Sequence, residues 1–439
     1  MSNYKANKSV ALWKQAKKLI PGGSQLVSKR SEMFLPDQWP AYYKSAKGIE
    51  VIDLDNNHYL DFSLMGVGSC VLGYADSDVN KAVMSSVKKG SMSTLNPPEE
   101  VELAEKLLEL HPWAKMVRYA RTGGEAMAIA VRIARAHSKR DKIAFCGYHG
   151  WHDWYLASNL ANDKNLDGHL LPGLEPKGVP RSAKGLSKPF EYNKIEQLKK
   201  IVKKNNIGVI VVETIRHQEP KNNFLSKIRE IADEINAVLI FDEISCGFRL
   251  TLGGAHLLYG VNPDIAVFAK AMSNGYPMAT IIGRKKVMNA AQSTFISSTY
   301  WTDRIGPTAA LATIKKLDEK NVSNHLNLIG KEIEKGWLKL AKRYDLKVKI
   351  IGPYSLITLD WEYKNANDIR TLFTQEMLYR GFLTSSTVYV SYAHKIKHVK
   401  TYLEAVDRVF AIIKQAVSKN QVKKKLNGPS AHKGFKRLT

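Results

Sequence analysis

A lysine that follows an apolar strand is the residue in this chain best placed to act as a nucleophile. The run Asp264-Ile265-Ala266-Val267-Phe268-Ala269 delivers Lys270 into the small-residue loop Ala271-Met272-Ser273-Asn274-Gly275. Desolvation lowers an amine's pKa, and a Schiff-base lysine needs that to attack a carbonyl near neutral pH. Alone, the segment equally fits a surface lysine whose stem lies along apolar neighbours. Twenty-eight residues upstream of Lys270, the strand-like Val238-Leu239-Ile240-Phe241 ends in Asp242 and Glu243. Open α/β sheets bind ligands at such carboxyl edges, although acids there also hold metals or cap helices. The segment Arg121-Thr122-Gly123-Gly124-Glu125-Ala126 reads as a glycine turn into a helix. Backbone N–H groups at a helix N-terminus bind phosphate without side-chain help, but two glycines in such a turn are common. Tyr148-His149-Gly150-Trp151-His152 follows a strand ending at Cys146, and an aromatic there can stack on a flat ring or simply pack. Each signal is weak by itself. Taken together, a phosphate turn, an aromatic plate, a strand-end acid and a strand-end lysine meet the needs of pyridoxal phosphate.

The elements that must position these residues alternate. Strand candidates at Lys115–Tyr119, Lys142–Cys146, Gly208–Glu213, Ala237–Asp242 and Ile265–Ala269 are separated by helical patterns, among them Glu99–Leu110 and Glu125–Ser138. Such alternation predicts a mostly parallel sheet with helices on both faces. Upstream, Val10, Leu12, Trp13, Ala16, Leu19 and Ile20 mark an amphipathic helix ending at Pro21-Gly22-Gly23. Segments 49–54 and 58–62 alternate about Asp55-Asn56-Asn57 as a hairpin. Downstream, helical patterns at Val322–Arg343 and His398–Val417 flank strand-like Lys347–Ile351 and Ser355–Asp360. The expected plan has an N-terminal segment over residues 1–76, a large domain over 77–317, a C-terminal part over 318–418 and a basic tail over 419–439. The two chain ends are expected to join into one smaller α+β domain.

Hydrophobic residues at 44% and charged residues at 24% are ordinary for a globular protein. No apolar run approaches the roughly 18–20 residues of a membrane span, and the N-terminus has no signal-peptide core. Cys70, Cys146 and Cys246 are too widely spaced for a disulfide framework or metal cluster, so a cytoplasmic setting is expected. The net charge of +25 is high. It would suit an anionic partner, but the excess is spread along the chain. Only Lys419, Lys423, Lys424, Lys425, Lys433, Lys436 and Arg437 form a one-sided block, and a frayed, solvated terminus is the expected reading. No nucleic-acid or membrane partner is expected.

The chain resembles class III aminotransferases, and most closely their glutamate-1-semialdehyde aminomutase branch. The resemblance runs from about Leu19 to Leu317 and more weakly to about residue 415. Its most specific stretch is Leu239-Ile240-Phe241-Asp242-Glu243 with Gly247-Phe248-Arg249, Gly253-Gly254-Ala255 and Tyr259-Gly260-Val261-Asn262-Pro263-Asp264, leading into Lys270. Pro21-Gly22-Gly23 and Leu72-Gly73-Tyr74-Ala75-Asp76 also match. The resemblance implies a type I pyridoxal-phosphate-dependent transferase fold, with a mostly parallel seven-stranded sheet in the large domain. It also implies a homodimer with shared active sites. Lys270 would hold the cofactor and shuttle a proton, and Asp242 would pair with the pyridinium nitrogen. Ile244 and Tyr148 would flank the ring, Gly123 and Gly124 would meet the phosphate, and Glu213 would lie near the cofactor. Thr299 would reach the phosphate of the partner subunit.

Departures from that pattern matter. Gly124 stands where the family has Ser or Thr, and Thr122 is expected to compensate. Glu213-Thr214 replaces Glu-Pro, and the segment Ser298–Pro307 leaves Thr302 in competition with Thr299. The aminomutase's substrate arginine falls at Lys29, with Arg30 next, and its substrate-side tryptophan falls near Val67. The expected activity is therefore transfer of an amino group from a donor to a carbonyl acceptor, with an aminomutase as the alternative. Trp151, Trp154, Tyr300, Trp301 and Arg121 would suit a large anionic acceptor, such as a keto-sugar or another surface-polysaccharide precursor. A basic binding protein without catalysis would have no need of Lys270 and Asp242.

Overall fold

The computed structural model describes residues 6–169, 172–215 and 217–435. The chain divides into two compact units, Ser77–Ser323 and Met1–Asp76 with Asn324–Thr439. In chain order, the strands β1 (Tyr43–Lys47), β2 (Glu50–Asp53) and β3 (His58–Phe62) come first. The larger unit contains β4 (Met116–Ala120), β5 (Lys142–Cys146), β6 (Ser187–Pro189), β7 (Ile207–Glu213), β8 (Val238–Asp242), β9 (Ile265–Phe268) and β10 (Ala279–Gly283). The strands β11 (Val348–Ile351), β12 (Leu356–Trp361), β13 (Phe382–Thr384) and β14 (Thr387–Tyr389) follow.

In the larger unit the seven strands lie in the order β4-β10-β9-β8-β7-β5-β6. From β9 through β6 every pairing is parallel, while β10 runs antiparallel to both β9 and β4. Every residue of β7, β8, β9 and β10 is buried. Strands covered on both faces must be apolar throughout, which is why Val209 to Val212 carries no polar side chain. Alternation still assigns the faces. Val209, Val211, Ile240 and Val267 pack with Ala126, Ala130, Ile133 and Ala134 of the helix Gly123–Ser138. Ile210, Val212, Leu239 and Phe241 pack with Phe224, Leu225 and Ile228 of the helix Phe224–Glu234.

In the smaller unit, β1-β2-β3-β13 form one sheet and β11-β12-β14 another. The expected hairpin is β2 and β3, and β1 adds to it antiparallel. Strand β13 pairs in parallel with β3, Phe382 opposite Leu60, so the second half of the chain completes a sheet begun by the first.

The tail differs from its expected frayed state. Val422 and Ala431 are buried. Gln375 donates to the Lys425 carbonyl (3.0 Å) and accepts from the Asn427 N–H (2.8 Å). Asn367 and Thr371 hold both backbone groups of Ala431 at 2.7 and 3.0 Å. The charge count misled because docking uses backbone groups and two apolar side chains, while Lys423, Lys424 and Lys425 stay exposed. Lys436 and Arg437 lie outside the described residues.

Candidate active site

Two adjacent parallel strands end in acids, and a lysine follows the third. Glu213 of β7 lies opposite Asp242 of β8, and Asp242 lies opposite Val267 of β9, three residues before Lys270. Lys270 does not end the strand itself: it opens the short 3-10 turn Lys270–Ser273. Its φ of +50° is a left-handed conformation that costs a non-glycine residue about 1–2 kcal/mol. Such strain persists where surrounding structure enforces it, and commonly at functional sites. The Lys270 ammonium donates to Ser245 Oγ at 2.9 Å.

Asp242 is buried and clamped on both oxygens. Oδ1 accepts the Ile244 N–H at 3.0 Å, and Oδ2 lies 2.8 Å from His149 Nδ1. His149 is itself buried, with Nε2 3.1 Å from the Cys146 carbonyl. The imidazole thus fixes the carboxylate's orientation from the loop after β5, two strands away in the sheet. Glu213 Oε2 accepts the Tyr148 N–H at 2.9 Å. The peptide before it must be glycine, because Gly147 has a φ of +116° and a Cβ there would meet Glu213 Oε2 at 2.6 Å.

The glycine turn is already helical: the helix spans Gly123–Ser138, two residues earlier than expected. Thr122 caps it, accepting the Glu125 N–H through its hydroxyl (3.4 Å) and donating that hydroxyl to Glu125 Oε2 (3.0 Å). Glu125 returns the contact by accepting the Thr122 N–H at 2.9 Å. This is the Thr-x-x-Glu capping box, a signal present in the sequence that would have placed the helix start. The hydroxyl expected to replace the missing one at Gly124 is therefore committed to the cap. The N–H groups of Gly123 and Gly124 have no partner among the described residues, as expected for a first helical turn. A Cβ on Gly123 would lie 2.9 Å from Ile244 Cδ1, so glycine lets the turn close against the end of β8 without displacing the Ile244 side chain.

Arg121 is occupied rather than open to a ligand. Its guanidinium pairs with Asp303 and donates to the carbonyls of Trp301 and Asp303, both at 2.9 Å. Asp303 in turn caps the helix Ile305–Glu319 through the Ile305 N–H at 2.7 Å. Thr299 and Thr302 sit on the 3-10 turn Thr299–Thr302, both exposed. Thr302 donates its hydroxyl to the Thr299 carbonyl at 2.8 Å. Neither threonine bonds Lys270, Asp242 or the glycine turn within the chain.

Glu243 serves a different end. It is fully buried and accepts from Thr214 (2.9 Å), Cys246 (3.0 Å), the Ala255 N–H (2.8 Å), and the His256 N–H and Nδ1 (2.9 and 2.8 Å). Burial opposes its ionisation, but these donors, His256 first, hold its carboxyl below the usual range. The segment at Gly253-Gly254-Ala255 is thereby tied to the strand that carries Asp242.

A family model, aminotransferase class-III, matches residues 35–416. The chain belongs to the class-III aminotransferases. It is 32% identical over 427 residues to a 3-aminobutyryl-CoA aminotransferase of Cloacimonas acidaminovorans, covering 94% of this chain and 98% of the relative. It is also 32% identical over 397 residues to a glutamate-1-semialdehyde 2,1-aminomutase of Sulfolobus acidocaldarius, covering 84% and 93%. The FumI protein of Sphingopyxis sp. MTA144, solved with its pyridoxal phosphate, superposes with a TM-score of 0.84 at 24% identity over 93% of this chain and 97% of that one. The fold is the type I pyridoxal-phosphate transferase fold, and the cofactor of this class-III enzyme is pyridoxal 5′-phosphate. The residues present fit it: an amine, a buried carboxylate, two unpartnered N–H groups and a side-chain-free approach at Gly123. Sequence reasoning missed His149 and Ser245. His149 stood beside Tyr148 as a polar residue in an aromatic segment, but its contact with Asp242 spans 93 positions and leaves no local pattern. Trp154 is buried and packs in the helix-side core, so it too drops out of the expected acceptor pocket.

Proposed function

We propose that this class-III enzyme is an aminotransferase, taking nitrogen from an amino donor and giving it to a carbonyl acceptor. The bound cofactor supplies a carbonyl carbon and an electron-accepting ring. Lys270 would hold that carbon and, once released, move a proton at the substrate carbon from its Nζ. Asp242, oriented by His149, would keep a proton on the ring nitrogen. Gly123 and Gly124 would bind the phosphate through their N–H groups at the helix start. Tyr148 and Ile244 would orient the ring between them, and Glu213 holds the Tyr148 backbone. The arrangement of Lys270 one strand away from the His149-clamped Asp242 carries this reading.

Thr299 would complete the phosphate site of a second copy in a homodimer; its hydroxyl is not spent within the turn, whereas that of Thr302 is. Cys70, Cys146 and Cys246 are free thiols, in keeping with a reducing cytoplasm. The anionic character expected of the acceptor loses its support because Arg121 is paired with Asp303, and an extended carbonyl compound is the reading that exposed Trp151 and Tyr300 favour. A keto-sugar fits that class, and so does an acyl thioester of the kind named for the Cloacimonas relative. Arg121 and Trp154 no longer support it, and exposed Trp151 and Tyr300 remain. The aminomutase reading is favoured by the relatives of that name. Glutamate-1-semialdehyde offered without any donor separates the two. The transferase should yield little or no 5-aminolevulinate, because Lys29 and Val67 replace the groups that would grip that substrate. Efficient donor-free conversion would reverse the ranking, and a donor and acceptor screen read by mass spectrometry then names the substrates.

A further inference from the structure

The turn that follows β8 brings a hydroxyl to the amine of Lys270. Ser245 lies three residues past Asp242, and its Oγ stands 2.9 Å from Lys270 Nζ. Its backbone is fixed on both sides by the two acids at the strand end. Asp242 Oδ1 accepts the N–H of Ile244, the residue before it, at 3.0 Å. Glu243 Oε2 accepts from Sγ of Cys246, the residue after it, at 3.0 Å, and the Glu243 carbonyl accepts the Gly247 N–H at 2.8 Å. The turn is also held against the strand that leads to the lysine. The Glu243 N–H donates to the Val267 carbonyl at 2.9 Å, and a Cβ on Gly247 would stand 2.6 Å from Phe268 Cδ1. Glycine at 247 thus lets the turn lie on β9, two residues before Lys270, without displacing the Phe268 ring. The end of a lysine needs such a hold. Its four-carbon stem is flexible, and the left-handed backbone at Lys270 fixes only where that stem starts.

We propose that Ser245 is a positioning residue whose hydroxyl holds Lys270 Nζ in place for attack on the carbonyl carbon of the cofactor. The proposal rests on the reading of Lys270 as the lysine that takes the cofactor. The ammonium and the neutral amine both carry N–H groups that Oγ accepts, so one contact serves both charge states. In the neutral amine this contact leaves the lone pair free. Nζ then forms its bond to the carbon, the carbon–oxygen double bond breaks, and the oxygen leaves as water with the two amine hydrogens. An attacking atom already held near its target loses less freedom on the way to the transition state. The same turn therefore serves twice, setting Ile244 beside the ring and Ser245 beside the nucleophile.

Stopped-flow absorbance on the full chain, stripped of cofactor and then reloaded, tests this without a turnover assay. Excess pyridoxal 5′-phosphate is mixed with wild type, Ser245→Ala and Ser245→Thr, and growth of the yellow band reports the linkage. Pyridoxamine 5′-phosphate, which has no carbonyl for the lysine, is titrated in parallel by calorimetry and reports the rest of the site. Ser245→Ala should form the band roughly tenfold more slowly and bind pyridoxamine 5′-phosphate as wild type does. Ser245→Thr, which keeps the hydroxyl, should link within about threefold of the wild-type rate. Should the alanine variant fail to fold, Ser245→Cys, whose sulfur is a weak acceptor, should show the slowing instead. Equal linkage rates in wild type and Ser245→Ala would overturn the role of Ser245 and leave that of Lys270 standing. So would equal losses of linkage rate and of pyridoxamine 5′-phosphate affinity, since a damaged site moves both. A wild type that forms no yellow band would instead overturn the reading of Lys270 itself, and the proposal with it.

Discussion

In the proposed mechanism two side chains, Lys270 and Asp242, carry most of the chemistry, and His149, which sequence reasoning passed over, holds Asp242 in place. Lys270 stood out because a lysine after five apolar residues, Ile265 to Ala269, is unusual, and Asp242 because an acid ends the adjacent strand β8. The clamp on Asp242 was not legible, since His149 reaches it only through the sheet. Asp242→Asn should retain the cofactor but slow turnover by about 10²–10⁴-fold, because an unprotonated ring nitrogen is a poorer electron sink. His149→Phe should give a smaller loss, roughly tenfold, as outer partners of functional groups commonly do. Steady-state rates with the cofactor absorbance recorded alongside check both. Near-normal turnover in Asp242→Asn would mean that another acid serves the ring.

At the scale of elements, hydrophobic runs located the strands of the parallel sheet to within a residue or so, because burial on both faces writes an unbroken apolar stretch. Strands of three residues, β6, β13 and β14, and the lone antiparallel β10 were invisible for the opposite reason: their pairing is set by distant partners. The docked tail escaped notice because its anchors are backbone groups. Strand β3 carries a measurable consequence. Asp61 is buried, and burial outweighs the Tyr74 hydroxyl and the Ser63 N–H to push its carboxyl up to about 6. An unfolded aspartate ionises near pH ~3.9, so between pH about 4 and about 6 the folded chain holds a proton that the unfolded chain has lost. This contribution to stability is present below that window and disappears as pH rises through it. Asp61→Asn should remove the dependence. The stability difference between wild type and variant in urea melts should therefore shift by on the order of 3 kcal/mol across the window, against wild type at the higher pH. A constant difference would show that Asp61 ionises normally.

At the scale of the whole molecule, the class-III resemblance was legible over most of the chain, since its motifs sit at strand ends where spacing is preserved. The homodimer is what that resemblance implies, whereas the acceptor was not legible, because it depends on a pocket surface that the motifs do not specify. A threonine hydroxyl on a phosphate is a charge-assisted contact worth roughly 1.5–3 kcal/mol. Thr299→Ala should then lose cofactor on dialysis, with affinity down about 10- to 150-fold, and regain activity when cofactor is added in excess. Thr302→Ala should retain it, its hydroxyl being spent within the turn. The reverse pattern moves the contact three residues along, and full retention in both variants, or activity as a dilute monomer, removes the shared site. The most direct measurement is borohydride reduction of the yellow enzyme followed by peptide mapping. The pyridoxyl group should be fixed on Lys270, with Lys270→Ala colourless at the same step; a label on any other lysine, or none, would contradict the assignment.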